Sequence, residues 1–374
     1  MEITTIQGKY AAAKAFTDDV EEYAAAQIKM ICDNEVAEGS VIRVMPDVHP
    51  GKVGPIGLTM TVENRIIPAL LGEDVGCGML AARINAKKAE FQKLDSVIRE
   101  NVPVGFAVYE KSHRMADEFD LTRLRCYEHI SRERALRSLG TLGGGNHFIE
   151  VDKGDDGIYV VIHTGSRHLG REMTEYYLKE GQKRLKEKEI TVPFELTWLE
   201  GDLMEDYLAD VKILMDYASL NRRIILKEIL KGMKWKALET TESVHNCIGM
   251  LSDGRRILRK GATSALKGEP VIIPINMRDG VILGVGKGDP EWNCSAPHGS
   301  GRKLKRTEVG EHYTVSDFKA EMKGIWSTSI GKDTLDEAPF AYRGLSDIAE
   351  RITDTVEITS VIRPIYSFKA GNEK

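Results

Sequence analysis

The sequence has no uninterrupted apolar stretch long enough to cross a bilayer and no apolar, uncharged signal region at its start, which together predict a cytoplasmic protein. Cysteine is scarce: Cys32, Cys77, Cys126, Cys247 and Cys294 are odd in number, widely spaced and form no CxxC pair. Neither a disulfide framework nor a zinc ribbon is indicated, and four of the five read as ordinary buried thiols. Internal repeats, low-complexity tracts and Pro- or Ser-rich linkers are also missing. The 374 residues therefore read as one continuous α+β domain, residues 1–374, large enough to bury a sizeable core. A net charge of −5 gives no general attraction for nucleic acid. Local basic runs do occur at Lys183 to Lys188, Arg222-Arg223, Arg255 to Lys260 and Arg302 to Arg306. Such runs are ordinarily solvated faces, and only the last adjoins a chemical motif.

The hydrophobic pattern supplies the framework. Asp18 to Ile31 reads as a helix capped by Thr17 or Asp18, with Val20, Ala24, Ile28 and Ile31 on one face. Short β-branched runs follow at Val41 to Val44, Ile56 to Val62 and Ile66 to Leu71 and read as buried strands or turns. Leu121 to Leu139 is helical in pattern. Ile158 to Ile162 reads as a fully buried strand that puts His163 at its end and Thr164-Gly165-Ser166-Arg167 in the loop beyond. Helices are expected over Arg171 to Lys188 and Gly201 to Lys231, the second with a core-facing apolar stripe. Strands resume at Val271 to Ile275 and Val281 to Val285, and a Gly-rich connection leads to His298.

On this framework lie short segments, most of them Gly-flanked, each with a metal-capable side chain: Asp74-Val75-Gly76-Cys77-Gly78, Gly143-Gly144-Gly145-Asn146-His147-Phe148, His163-Thr164-Gly165-Ser166-Arg167, His245-Asn246 and Ala296-Pro297-His298-Gly299-Ser300-Gly301-Arg302. Taken singly, each has a plain structural explanation: a turn with a buried thiol, or a core histidine with satisfied hydrogen bonds. Taken together, one carboxylate, one thiol and four imidazoles suggest groups gathered by folding. Asp74 and Cys77 are spaced so that a tight loop can turn both toward one ion. A thiolate can bridge two cations, and this mixture suits Mn²⁺, Zn²⁺ or Fe²⁺ better than Mg²⁺ or Ca²⁺. The Gly143 loop lacks the Lys-Ser/Thr of a P-loop, and no GxGxxG opens a helix. His113, His129 and His312 lie among charged residues and read as surface side chains, while His168 reads as a cap or hydrogen-bonding group.

His298 has different neighbours. Gly299 and Gly301 permit close backbone approach to a phosphate, Ser300 can donate a hydrogen bond, and Arg302 and Arg306 can neutralise anionic oxygens. A ring nitrogen held there could be a ligand, a general acid or a nucleophile on phosphorus, and residue chemistry alone leaves those three roles open.

The set Met45-Pro46-Asp47-Val48-His49, Asp74 to Met79, Leu142 to Glu150, His163 to Arg167, His245-Asn246 and His298 to Arg302, in this order, resembles the RtcB family of RNA ligases over about Met45 to Lys369. The resemblance implies that family's α+β fold, with buried sheets around a central metal site and peripheral helices. It also implies two Mn²⁺ ions, GTP as energy source, and RNA with 2′,3′-cyclic phosphate or 3′-phosphate and 5′-hydroxyl ends as partner. By matching motif, Asp74, Cys77, His147, His163 and His245 would bind metal, with Cys77 bridging, and His298 would carry GMP. Asn146, Glu150 and Asn276 would contact the nucleotide, with Glu150 on the guanine edge. Tyr342 would stack on the guanine and Lys369 would reach it. Arg134, Arg167, Arg302 and Arg306 would contact RNA or phosphate, and Asp47, or a metal-bound water, would manage a proton. A helper protein is left unspecified.

The chain departs from the family pattern at Pro274-Ile275-Asn276-Met277-Arg278, where Pro-Gly-Ser-Met-Gly is usual, and at Lys305, where Ser is common. These departures suggest a divergent paralogue used in RNA repair. The altered Ile275-Asn276 segment also motivates a second reading, a metal-dependent phosphodiesterase for cyclic phosphates; a third is a non-catalytic sensor of broken RNA ends that keeps the metals but has lost nucleotide transfer.

Overall fold

The computed structural model describes residues 3–371. It holds two large sheets and a helical layer, an α+β arrangement. The first sheet has six strands in the order Thr4–Gln7, Ala12–Ala15, Ile42–His49, Ile56–Val62, Arg256–Lys260, Asn246–Met250. The second has seven, in the order Ala237–Val244, Gly78–Ile84, Gly157–Thr164, Phe148–Gly154, Val356–Lys369, Gly280–Gly286, Pro270–Asn276. Within the two sheets only Ala12–Ala15 and Ile42–His49 pair in parallel. Among the described residues, no helix is long and apolar enough to cross a membrane.

The second sheet positions the site, and side-chain alternation explains its shape. Leu80, Ala82, Ile149, Val151, Val160 and Ile162 face outward and pack on Leu94 and Ile98 of the helix Phe91–Asn101 and on Ile225 and Ile229 of the helix Gly201–Met233. Met79, Ala81, Phe148, Val161, Ile272, Val281 and Ile362 face the other way and form a cluster of their own. That cluster fills the concavity of a sheet so curled that its edge strands Pro270–Asn276 and Ala237–Val244 approach each other. Glu150 and Asp152 share this inward parity with Phe148. The largest apolar cluster lies under the first sheet, where Ile28, Ile42, Val44 and Leu58 meet Leu169, Tyr177, Tyr207 and Leu214 of two long helices, Arg167–Glu187 and Gly201–Met233.

Several local expectations are corrected. The first helix runs Glu22–Cys32, and Thr17 accepts the Asp19 N–H (3.1 Å) in a separate turn instead of capping it. Ile66 to Leu71 splits into the two-residue strand Arg65–Ile66 and a short helix Pro68–Leu71 opened by its proline. Leu121 to Leu139 is not one helix. The buried carboxylate of Asp210 accepts the N–H groups of Arg125 (2.7 Å) and Cys126 (3.0 Å), and the segment forms two single turns before the helix Arg132–Ser138. The segment after His163 also differs, because Arg167 already opens the next helix, with φ of 57°.

Candidate metal centre and adjoining histidine

Register explains how the ligand candidates meet. Four neighbouring strands pair Val244 with Gly78, Gly78 with Thr164, Met79 with His163, and His163 with Phe148. The residues at this end of the sheet are therefore His245, Cys77, His163 and His147, side by side. Asp74 arrives on the loop before Cys77, and Gly165 is required there because a Cβ at that position would lie 2.2 Å from Asp74 Oδ1. Two groups result, Cys77 with His163 and His245, and Asp74 with Cys77 and His147, each with its ligand atoms within 4.8 Å of one another. Cys77 belongs to both.

The hydrogen bonds fix which ring nitrogens face inward. His147 Nδ1 lies 2.9 Å from Leu142 O and His163 Nδ1 lies 3.2 Å from Asn146 O, so each Nδ1–H donates to a carbonyl and each Nε2 presents a lone pair to the centre. His163 Nε2 then faces His245 Nε2 at 3.2 Å and Cys77 Sγ at 3.3 Å, while His147 Nε2 faces Asp74 Oδ2 at 3.1 Å and Cys77 Sγ at 3.6 Å. Acceptors aimed at acceptors at these distances need a cation or protons between them, and the donor set fits soft-to-borderline divalent ions. Burial, with neighbouring imidazoles adding to it, holds His163 and His245 well below the usual histidine range. Burial and the Asp74 charge push the Cys77 thiol well up. Burial also raises Asp74, but its neighbours His147 and Arg167 reverse this and keep it low. His163 and His245 are thus neutral and ready to coordinate, whereas the thiol must lose its proton to do so.

His298 stands beside this group. It follows the short strand Ser295–Pro297, which pairs with Ala262–Ser264, and the Ala262 N–H donates to His245 O (3.1 Å). The His245 and His298 ring centroids are 5.1 Å apart. Asp47, fully buried in the strand Ile42–His49, places Oδ2 2.7 Å from His298 Nδ1 and 3.3 Å from the Gly299 N–H. This leaves His298 Nε2 as the free lone pair. Gly301 (φ 76°) admits the turn, since a Cβ there would stand 3.0 Å from the Asp47 backbone.

A cavity opens over His298 and is lined by Asn146, Glu150, Asn276, Tyr342 and Lys369, so the expected nucleotide contacts are brought together. Lys369 pairs with Phe148 and Ser367 with Glu150 across adjacent strands, which sets their side chains on one face. Ser367 Oγ donates to Glu150 (2.8 Å); burial pushes the Glu150 carboxyl up, against the pull of Ser367 and Lys369. Arg302 lies over the Tyr342 ring at 4.7 Å and donates to its hydroxyl at 2.9 Å. Asn276 spends its hydrogen bonds locally, accepting from Arg278 and Asp279 N–H groups and donating to Asp279. The Ile275 side chain packs with Val271, Ile273 and Ala296, while its carbonyl accepts from Ser300 Oγ (2.7 Å). The branched residue at this position therefore points into the core.

Arg134 and Arg167 lie elsewhere, with Arg171, in a second cleft of about 450 Å³ that shares Asn146 with the first cavity and also reaches Asp74 and His147. Arg306 pairs with Asp336 (2.6 Å) and Glu337, so in this structure its charge is met internally. Lys305, at the other departure, is exposed and pairs with Glu21 (3.2 Å).

Three important groups escape a sequence reading. Glu337, buried, accepts from Lys369 Nζ (2.6 Å) and the Tyr342 hydroxyl (2.6 Å); burial would raise its carboxyl, but Lys369 and Arg306 hold it down at about 2. Arg222, placed in a basic run expected to be solvated, is fully buried and donates to Gly76 O and Thr164 O, both at 2.9 Å, tying two ligand loops together. Arg259, from another such run, is also buried and bonds Ser295 Oγ (2.8 Å) beneath the His298 strand. Nothing in the run itself signals burial. His113 is also less exposed than expected and meets Glu228 at 3.2 Å, whereas His129 and His312 are exposed and His168 pairs with Glu172 (3.3 Å). All five cysteines are free and buried.

A curled sheet that gathers a shared thiol, three imidazoles and a carboxylate beside a His–Asp pair defines a protein built around a candidate two-ion centre. Comparison with known proteins gives the family: the model described as tRNA-splicing ligase RtcB matches residues 27–128 and 110–370, and the chain belongs to the RtcB family. It is similar to RNA-splicing ligase RtcB1 of an Escherichia coli strain, 30% identical over 376 residues that cover 88% of this chain and 90% of that protein. RtcB2 of the same strain is 28% identical, with 88% of each chain covered. The tRNA-splicing ligase RtcB of Nanoarchaeum equitans is 28% identical over 421 residues, with 87% of each chain covered.

Proposed function

We propose that this protein is a GTP- and Mn²⁺-dependent RNA ligase that joins 2′,3′-cyclic phosphate or 3′-phosphate ends to 5′-hydroxyl ends, acting as one ligase domain over residues 1–374 in the cytoplasm. The observation that carries the reading is the placement of His298. Its Nδ1 is held by the buried Asp47 carboxylate, its Nε2 is free, and it stands between the shared-cysteine cluster and a cavity lined by Glu150 and Lys369.

Asp74, Cys77, His147, His163 and His245 would hold the two ions, which when bound offset negative charge developing on phosphoryl oxygens. The remaining steps belong to the chain's own residues. Asp47 keeps the proton on Nδ1, so Nε2 attacks the α-phosphate of GTP; a P–N bond forms, the P–O bond to pyrophosphate breaks, and GMP is left on His298. Glu150, Lys369 and Tyr342 orient the guanine, and Asn146 lies where the nucleotide cavity meets the arginine cleft. After water opens a cyclic end, the 3′-phosphate oxygen takes the GMP from His298. A 5′-hydroxyl then attacks that phosphorus, forms the phosphodiester and releases GMP. The phosphodiesterase reading rests on the altered Ile275-Asn276 segment, and the Ile275 side chain packs with Val271, Ile273 and Ala296.

The test is incubation of metal-free protein with α-labelled GTP and Mn²⁺, followed by denaturing electrophoresis. An acid-labile label on the wild type that is absent from a folded His298→Ala variant is expected. Label that survives His298→Ala removes His298 as nucleophile, and GTP-independent hydrolysis of a cyclic phosphate without joined product establishes the phosphodiesterase instead.

A further inference from the structure

The second cleft carries a feature that the proposed chemistry does not use. Phe106 is 76% exposed, the most exposed large hydrophobic side chain among the described residues, and it stands on the cleft wall with Arg134, Arg167 and Arg171. A surface aromatic at this exposure stabilises nothing in the fold, since it buries little apolar area. Its backbone, in contrast, is firmly held. Leu142 N–H donates to Pro103 O (2.9 Å) and Gly105 N–H to Gly143 O (3.0 Å), which joins the loop to the Gly143 segment that leads into His147. Arg167 Nη2 donates to Gly105 O (3.1 Å) and Arg134 Nη2 to Phe106 O (3.3 Å).

The two arginines that brace the loop also face the cleft. Among the described residues none of Arg134, Arg167 and Arg171 has a carboxylate partner within 4.0 Å, whereas Arg302 and Arg306 do. Arg134 Nε is buried with no hydrogen-bond partner at all. Unpaired guanidinium groups in a cleft beside a rigidly mounted, solvent-facing ring match what a single-stranded nucleic acid end requires: cations for its phosphates and a π-face for one base. The cleft's contact with Asp74 and His147 puts such an end next to the candidate metal centre.

We propose that Phe106 is a stacking platform for the terminal base of an RNA end whose phosphates lie on Arg134, Arg167 and Arg171, an inference that rests on RNA being the substrate. Base-to-aromatic stacking tolerates every sequence, so the platform would select an unpaired end over a duplexed one without reading its base.

The experiment uses fluorescent single-stranded octaribonucleotides bearing either a 5′-hydroxyl or a 3′-phosphate terminus, each made with an intact or an abasic terminal nucleotide. They are titrated into wild type, Phe106→Ala and Phe106→Trp. Phe106→Ala should bind one of the intact ends about tenfold more weakly, Phe106→Trp should restore the affinity, and the thermal midpoint of both variants should match wild type. The abasic form of that end should bind wild type and Phe106→Ala alike. Equal affinity of wild type and Phe106→Ala for both intact ends overturns the proposal, as does a loss in Phe106→Ala of the same size for abasic and intact ends. Wild-type protein that binds no RNA refutes the ligase reading itself, an outcome separate from either of these.

Discussion

Replacing Glu337 with glutamine keeps the side-chain volume and removes only the charge, so it isolates the buried ion-pair network under the cavity. In the wild type, Glu337 Oε2 is 2.6 Å from Lys369 Nζ, and both side chains are less than one-tenth exposed. Burial would raise the carboxyl, but Lys369 and Arg306 depress it from an ordinary 4.5 to about 2. A displacement of that size corresponds to roughly 3 kcal/mol of folding stability at neutral pH. Because the folded state holds this carboxyl more strongly ionised than the unfolded chain does, the contribution is complete above pH 4.5 and is lost as pH falls from there through about 2. Urea unfolding of wild type and Glu337→Gln should therefore give a gap of roughly 3 kcal/mol at pH 7, shrinking to about half or less by pH 3. A gap below about 1 kcal/mol at pH 7, or one unchanged between pH 6 and pH 3, would refute the reasoning by showing that the pair adds little to the folded state.

Asp47→Asn should slow GTP-dependent labelling about a thousandfold, because an amide can present N–H to His298 Nδ1 and shift the proton to Nε2. Ion content by mass spectrometry should stay at the wild-type level, and a slowing of less than about tenfold would show that Asp47 does not set the tautomer. Cys77 belongs to both ligand groups, whereas His147 and His245 each belong to one. Bound Mn²⁺ after dialysis should accordingly fall furthest in Cys77→Ala and only partly in His147→Ala or His245→Ala; equal losses in all three would contradict a shared thiolate. Arg222→Met should destabilise the protein by about 3 kcal/mol, since it leaves two buried carbonyls without this donor and takes from Glu242 one of its partners. An unchanged urea midpoint would mean that the two loops hold themselves.

Most of the ligand groups were legible in the sequence because they sit in short Gly-flanked motifs near the end of a strand, and strand ends are where a curled sheet converges. His245, Cys77, His163 and His147 are neighbours through register alone. What could not be read depended on which groups lie opposite after folding. Arg222 and Arg259 look like solvated charge until Gly76 O, Thr164 O and Ser295 Oγ are placed against them. Glu337 ends the 3-10 segment Lys332–Glu337 among acidic neighbours, and its burial is explained by Lys369, Arg306 and the Tyr342 hydroxyl, which folding sets against it. The broken helix between Leu121 and Leu139 has the same origin: Asp210, far along the chain, takes the N–H groups that a continuous helix would have used. At the Ile275 departure the sequence gives no side-chain direction, and only the fold shows that the side chain packs with Val271, Ile273 and Ala296.

The central claim is that His298, oriented by Asp47 beside a metal centre, takes GMP from GTP. Metal-free protein given α-labelled GTP with Mn²⁺, and separately with Mg²⁺ or Zn²⁺, then resolved on a denaturing gel, tests it most directly. An acid-labile label that needs Mn²⁺ and is lost in a folded His298→Ala variant is the predicted result; no label with any metal, or label undiminished in His298→Ala, would contradict it.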